Sequence, residues 1–515
     1  MRFIWHPGRA AVHSRRARAI DKSVKVTSVS TFTLQGTFMA LFGRLKPLDD
    51  HLTHAPANAL AKTLSWPHLI ALGIGCTIGM GIFTLTGVGA KLAGPGVILS
   101  FAMAGMVVIC AALAYTEMAT LIPTSGSAFT YTYSVLGEGL AWVVGWSLVL
   151  EYALGAAAVA TGWAGHIQGF LAGTMHIVIP PALMAGPMAG GVVNLFAVVI
   201  VALVTGLLLL GTRESATVNI FLVVIKSAAL VLFVVLAVPA IKAGNYHPFM
   251  PYGFAAHNIG VDKYGVAAAA AIVFFAFYGF DAVSTASEEV KNPNRDLTIG
   301  IVGSMVACVL IYMLVSASAV GALPFKLFSG STEPLPEIMR ILSHPVAAAL
   351  IGGAAIIALP SVILVCIYGQ SRILFVMARD GLIPQGFAKV NKRGIPAVMT
   401  ITTGIFVAAV AGFIPLQKIA ELANAGTLCA FTAVSLSMIV LRIQKPNLVR
   451  VFKTPVFWLI GPAAIIGCIW LFTSLSDLAK IWFAEWNAAG LVFYFCFGFW
   501  RSRLRGAAKL ESEGG

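Results

Sequence analysis

An all-α integral membrane fold is what this sequence predicts, and three observations carry the prediction: its composition, its run of long apolar spans, and the glycines that interrupt two of them. Hydrophobic residues make up 59% of the 515 and charged residues only 10%, with a mean hydropathy of +0.90. Soluble chains carry roughly 25% charge. The 51 glycines and 24 prolines are spread through apolar segments, as in bundles of closely packed and partly broken membrane helices.

Spans of about 20 apolar residues, enough for the roughly 30 Å hydrocarbon core, run near 68–90, 95–121, 137–170, 190–211, 217–240, 266–287, 298–322, 346–376, 396–413, 419–442, 456–475 and 480–500. Twelve is even, so both termini share a side. Residues 68–500 are expected to form one twelve-helix domain between cytoplasmic tails, 1–67 and 501–515. The first 38 or so residues are basic, rich in Ser and Thr and nearly free of acids. They are expected to be an over-extended start, with Met39 opening the core protein, or a disordered tail, although the composition also mimics a transit peptide. Spans 3 and 8 are unusually long, which predicts strong tilt.

The net charge of +14 does not describe a nucleic-acid groove, because the basic residues sit in the N-terminal tail and in alternate loops. With the N-terminus inside, 26 of the 34 Lys and Arg are cytoplasmic and seven are outside, as the positive-inside rule requires. The inside set includes Arg213, Lys291 to Arg295, the Arg379-Lys389-Lys392-Arg393 loop, the Arg442-Lys445-Arg450-Lys453 loop and Arg501, Arg503 and Arg505. The expected location is the cytoplasmic (inner) membrane.

All seven cysteines lie in apolar spans without CxxC spacing, so neither a disulfide framework nor a zinc site is indicated. The chain has no GxxxxGK loop, HExxH or GxSxG motif. ATP-driven pumping and common membrane hydrolase chemistry therefore lack support, and no cofactor, metal or nucleic-acid partner is expected.

The first span holds Gly73, Gly75, Gly79 and Gly81 within Leu72 to Phe83. Gly75 and Gly79 fit the small-xxx-small spacing of close helix packing. Alternatively, the helix breaks around Ile78, Gly79, Met80 and Gly81, and the next half-helix then offers free N–H groups and a partial positive charge at membrane depth. A carboxylate is the natural guest. Five spans later, Phe274 to Asp281 bring a second aromatic and glycine interruption, and a break at Phe277, Tyr278 and Gly279 would expose carbonyls to an ammonium group. Interrupted spans in matching places predict a five-plus-five inverted repeat with broken helices 1 and 6, spans 11 and 12 being peripheral. Carboxylate on one break and ammonium on the other describes an α-amino acid. Phe275, Phe277 and Tyr278 also fit ordinary packing.

Ionisable groups at the helix centre cost roughly 2.5–3.5 kcal/mol even on the lenient insertion scale. Lys226, deep in span 5, is an internal cation between broken helices, a proton carrier, or a snorkelling residue. Glu151, near the middle of span 3, meets a cation, a water or a proton, or forms a structural salt bridge. Asp281 directly follows the second break and caps the next half-helix or titrates. Glu117, Arg372 and Glu421 lie toward span ends and are expected in interfacial ion pairs, and Glu288 and Glu289 in a cytoplasmic gate or a solvated loop.

At these residues the chain resembles the amino acid-polyamine-organocation (APC) superfamily, specifically bacterial permeases akin to cationic amino acid transporters. The stretches are GIGCTIGMGIFTLTG (73–87), AYTEMATLIPTSGSAFTYTYSVLGE (114–138), GWSLVLEYALG (145–155), FFAFYGFDAVSTASEEVKNPNRD (274–296) and YGQSRILFVMARDGLIP (368–384). The resemblance implies alternating access and amino acid transport without covalent chemistry. It implies that main-chain N–H groups of Ile78 to Gly81 bind the substrate carboxylate and that carbonyls of Phe275, Ala276, Phe277 and Tyr278 take the amino group, with Phe275 as a lid. It further implies that Lys226 stands where sodium sits in other members, which favours proton coupling or exchange, and that Glu151 lies near the substrate side chain. Met80 departs from the small residue or Thr common in relatives, and Pro360 is placed to bend span 8 beside Cys366. An exchanger or facilitated uniporter, and more remotely an amino acid sensor, are the alternatives.

Overall fold

A computed structural model describes Leu45 and residues 64–503, apart from 123, 125, 178, 211–215, 261, 286–289, 385 and 387–395. The expectations for most of the N-terminal tail, for Arg213, Glu288, Glu289, Lys389, Lys392 and Arg393, and for residues from 504 onward fall outside the described residues.

The apolar spans coincide in order with helices. Span 1 is divided into α1 (Trp66–Thr77), α2 (Met80–Phe83) and α3 (Leu85–Ala93). It is followed by α4 (Val97–Leu121), the short α5 (Ser127–Val135), α6 (Glu138–Thr174), α7 (Leu195–Leu210) and α8 (Ala216–Ala237). Span 6 is divided into α9 (Val266–Val273), a 3-10 turn (Phe274–Phe277) and α10 (Ala282–Thr285). The second half runs through α11 (Pro293–Ala322), the short α12 (Pro334–Ile341), α13 (Pro345–Arg379), α14 (Ala397–Phe413), α15 (Leu416–Gln444), α16 (Phe457–Ser474) and α17 (Asp477–Phe493).

Among the described residues, seven helices are long and apolar enough to cross a membrane, with three shorter apolar ones beside them. Large apolar side chains such as Leu203 (59% exposed) and Ile405 (66%) face outward, a surface that only lipid would solvate. The chain is an integral membrane protein built almost wholly of helices. One element was not foreseen: the antiparallel hairpin of β1 (His257–Ile259) and β2 (Asp262–Tyr264). It is pinned at one end of the bundle by Lys91 to Asp262 (3.4 Å) and Lys263 to Asp477 (3.0 Å).

The helix α6 is the post around which the rest packs. In its most apolar stretch 89% of residues are buried, against 28% for α16, so its 37 residues mark a central position as well as length. It packs most extensively against α13 and α15. The last helix lies at the periphery but is tied to this post: Trp142 Nε1 donates to the Gly490 carbonyl (2.8 Å), and Trp146 and Trp486 exchange indole-to-carbonyl bonds of 2.8 and 3.0 Å.

At the end of the bundle opposite the hairpin, Glu117 accepts from Arg442 (2.6 and 2.9 Å) and from the Thr454 N–H (2.8 Å), with Arg450 at 3.1 Å. The ion pair expected of Glu117 is present. Arg372 stacks on the Tyr368 ring, 4.2 Å from its centroid. Buried Glu421 takes hydrogen bonds from Ser476 and Gln417, so its described partners are neutral.

Pro360 does not end α13. A mid-helix proline deprives the carbonyl four residues earlier of its partner, here that of Ile356. Trp163 Nε1 from α6 donates to that oxygen at 2.9 Å, so the two longest helices are joined where the backbone bond is missing.

Candidate functional site: two helix breaks face each other

The helix α1 stops at Thr77 because Ile78 (ψ 89°) and Gly79 (φ −133°, ψ −151°) leave helical geometry, and the helix resumes at Met80. A helix end leaves carbonyls unpaired and carries partial negative charge. Two distant side chains answer both needs: Lys226 of α8 donates to the Gly75 carbonyl at 2.9 Å, and Tyr312 of α11 donates to that of Thr77 at 2.7 Å. Lys226 is buried. The ammonium therefore sits at the electronegative end of a half-helix deep in the protein.

The second break repeats the arrangement with different chemistry. The helix α9 passes into the Phe274–Phe277 turn, the backbone becomes extended at the buried Tyr278 (ψ 143°), and Gly279 adopts φ +96°, a left-handed conformation that glycine reaches without strain. The last carbonyls of α9 are met from α15, where Asn424 Nδ2 donates to Ala271 (2.8 Å) and Ile272 (3.2 Å). Sequence reading missed Asn424, because a lone amide in an apolar span has no motif to announce it.

The two breaks touch. A side-chain carbon on Gly81 would fall 2.6 Å from Cβ and 2.9 Å from the nitrogen of Ala276, and one on Gly279 would lie 3.1 Å from Cβ of Cys76. The need for glycine at 81 is this backbone-to-backbone approach. Beyond the breaks, Val290 pairs with Leu64, and the Lys291 N–H donates to the Leu64 carbonyl at 2.8 Å.

The aromatic residues of span 6 divide between two sides. The Phe275 and Tyr278 rings stack 5.5 Å apart at 6°, and Tyr278 meets Tyr152 edge-on at 6.0 Å. The Phe277 ring packs with Phe101 and with Tyr312, the residue that caps Thr77. A contact of Phe277 with a substrate would therefore run through its backbone. The Phe275 carbonyl accepts the Tyr278 N–H at 3.1 Å, which leaves it a second lone pair.

Glu151 and Asp281 lie within the bundle. Glu151 is fully buried in α6, and among the described residues neither carboxylate oxygen has a hydrogen-bond partner. The next residue, Tyr152, donates to Asp281 Oδ2 at 2.7 Å, linking α6 to the start of α10. Ile78, Met80, Ala276 and Phe277 are all buried at the junction. Further toward the hairpin end, His166 lies 3.3 Å from Thr84 Oγ1 and 3.9 Å from Glu333, which pairs with Arg340. A mixed cleft of about 680 Å³ opens beside Glu333 and Arg340.

A sequence model described as amino acid permease matches residues 64–497. A branched-chain amino acid permease of Bacillus subtilis is 43% identical over 87% of this chain and 95% of its own. A methylthioribose transporter of the same organism is 42% identical over 89% and 98%. The vacuolar cationic amino acid transporter 2 of Arabidopsis thaliana is 38% identical over 78% of this chain and 63% of its own. These relatives are named permeases and transporters, not enzymes. A match across both helix breaks and most of the bundle shows that the chain belongs to the amino acid permease family of the APC superfamily.

Proposed function

We propose that this protein carries amino acids across the cytoplasmic membrane by alternating access, as a proton-coupled importer. The observation that carries the reading is the direct apposition of the two breaks, with Gly81 against Ala276. At such a junction the N–H groups of Gly79 to Gly81 suit an α-carboxylate, that of Ile78 being taken by the Ile74 carbonyl at 2.7 Å, and the carbonyls of Phe275 to Tyr278 suit an α-ammonium. Phe275, stacked on Tyr278, is then the lid. Glu151 lies toward the substrate side chain.

In this reading residues 68–500 form twelve transmembrane helices in a five-plus-five inverted repeat, with α16 and α17 peripheral and both tails cytoplasmic. The capping pattern supports the repeat. Span 5 supplies Lys226 to the break of span 1, and span 10 supplies Asn424 to that of span 6. Lys226 is the coupling residue: its amino group against the Gly75 carbonyl leaves little reason for a metal cation to bind there. Asp281, held by Tyr152, joins the second break to span 3 and takes part in coupling.

Uptake of labelled amino acids into proteoliposomes under an imposed pH gradient tests the reading, with Lys226→Ala alongside. Gradient-driven accumulation in the parent and its loss in the variant are expected. Accumulation driven by sodium and indifferent to the pH gradient would overturn the coupling. Uptake of a methylthio sugar with no amino acid uptake would overturn the substrate class, and ligand binding without flux would make the protein a sensor.

A further inference from the structure

One side of α6 carries Glu151, Gly155, Gly162, His166 and Gly169, whose spacings of three, four and seven residues keep them on a single face. Its glycines seat side chains from other elements: Tyr278 at Gly155, Met80 at Gly162 and Glu333 at Gly169. The middle seat bears on substrate choice. A side-chain carbon on residue 162 would overlap Cγ of Met80 and lie 3.3 Å from its Cβ and 3.4 Å from its sulfur. The thioether thus runs along bare backbone. Met80 opens α2 immediately after the first break, beside the Gly81 to Ala276 contact, so it has α6 on one side and the two breaks on the other.

The helix α6 cannot easily withdraw at this level. Trp163 is bonded to the Ile356 carbonyl (2.9 Å), and Thr161 Oγ1 reaches the Ala411 carbonyl at 3.4 Å. A methyl group added at 162 must therefore displace the flexible methionine away from α6 and toward the two breaks.

We propose that Gly162 is a specificity-determining residue, whose missing side chain holds the Met80 thioether out of the substrate site and so sets the room left for the substrate's own side chain. A long residue in the glycine motif then coexists with a usable site because the facing helix supplies the volume. The inference rests on the amino acid transport reading.

The test is proteoliposome uptake of leucine and of alanine by the parent, Gly162→Ala, Met80→Ala and the double variant. In Gly162→Ala the kcat/KM for leucine is expected to fall about tenfold or more, the scale on which a pocket senses a methylene group, and that for alanine by less than about threefold. Met80→Ala in the same chain is expected to return leucine to within about threefold of the parent. Equal losses for the two substrates, no loss, or a double variant no better than Gly162→Ala would overturn the proposal. Should Gly162→Ala fail to insert, Met80→Ala alone decides: the emptied seat is expected to make phenylalanine an effective competitor of leucine uptake, and unchanged competition overturns the proposal. A parent that takes up no amino acid refutes the transport reading itself, before any variant is compared.

Discussion

Lys226 donates a 2.9 Å hydrogen bond to the carbonyl of Gly75, placing a buried ammonium on the electronegative end of the half-helix that stops at the first glycine break. Removing it leaves a buried carbonyl without that donor, a loss of about 1–3 kcal/mol. Lys226→Ala is expected to lower the thermal unfolding midpoint of the purified protein and to abolish gradient-driven uptake. A variant as stable as the parent and fully coupled would show that the ammonium is not needed there.

Asn424 performs the matching task at the second break with neutral chemistry, bonding the Ala271 and Ile272 carbonyls. Asn424→Leu, similar in size, removes both bonds and is expected to destabilise by about 1–3 kcal/mol. Thermal unfolding in detergent, with and without a transported amino acid, reads it. An unchanged midpoint would contradict the assignment.

Gly81 and Gly79 are two residues apart but differ in what surrounds them. An added carbon at 81 meets the Ala276 backbone nitrogen at 2.9 Å, whereas at 79 the nearest atom is a Val362 methyl at 3.7 Å. Gly81→Ala is expected to force the breaks apart, costing about 1–3 kcal/mol or more and removing substrate binding. Gly79→Ala is expected to keep the fold. Yield and monodispersity in detergent separate the two, and equal behaviour would count against the packing account.

Trp163 and Pro360 are coupled through the Ile356 carbonyl. Trp163→Phe orphans that oxygen and is expected to cost about 1–3 kcal/mol. Pro360→Ala returns a helical N–H to the same oxygen, so Trp163→Phe is expected to cost about 1 kcal/mol less in that background. Additive effects in the double-mutant cycle would rule the link out.

The parts of this account legible in the sequence are those that follow from periodicity and backbone chemistry. Apolar length marked the helices, and the clustered glycines of span 1 and the aromatic and glycine interruption of span 6 marked where these spans leave helical geometry. What stayed hidden depends on partners distant along the chain. Nothing near Asn424 shows that it faces the end of α9, and nothing near Gly162 distinguishes it from other glycines of α6. The hairpin of β1 and β2 is too short to show alternation. Met80 illustrates the difference: in the sequence it is a departure from the residue common in relatives, and its volume lies against a helix more than eighty residues later. Beside Pro360 the indole bond from another helix has no sign in the local sequence either.

The central claim is that the main chain of two apposed breaks recognises both the α-carboxylate and the α-ammonium of one molecule. Competition against labelled leucine uptake in proteoliposomes, using leucine, its deaminated acid and its decarboxylated amine, tests this most directly. The account predicts that unlabelled leucine competes and that neither single-charge analogue does at concentrations about a hundredfold higher, since each leaves one break unpaired. Competition by the amine or the acid as effective as that of leucine would contradict it.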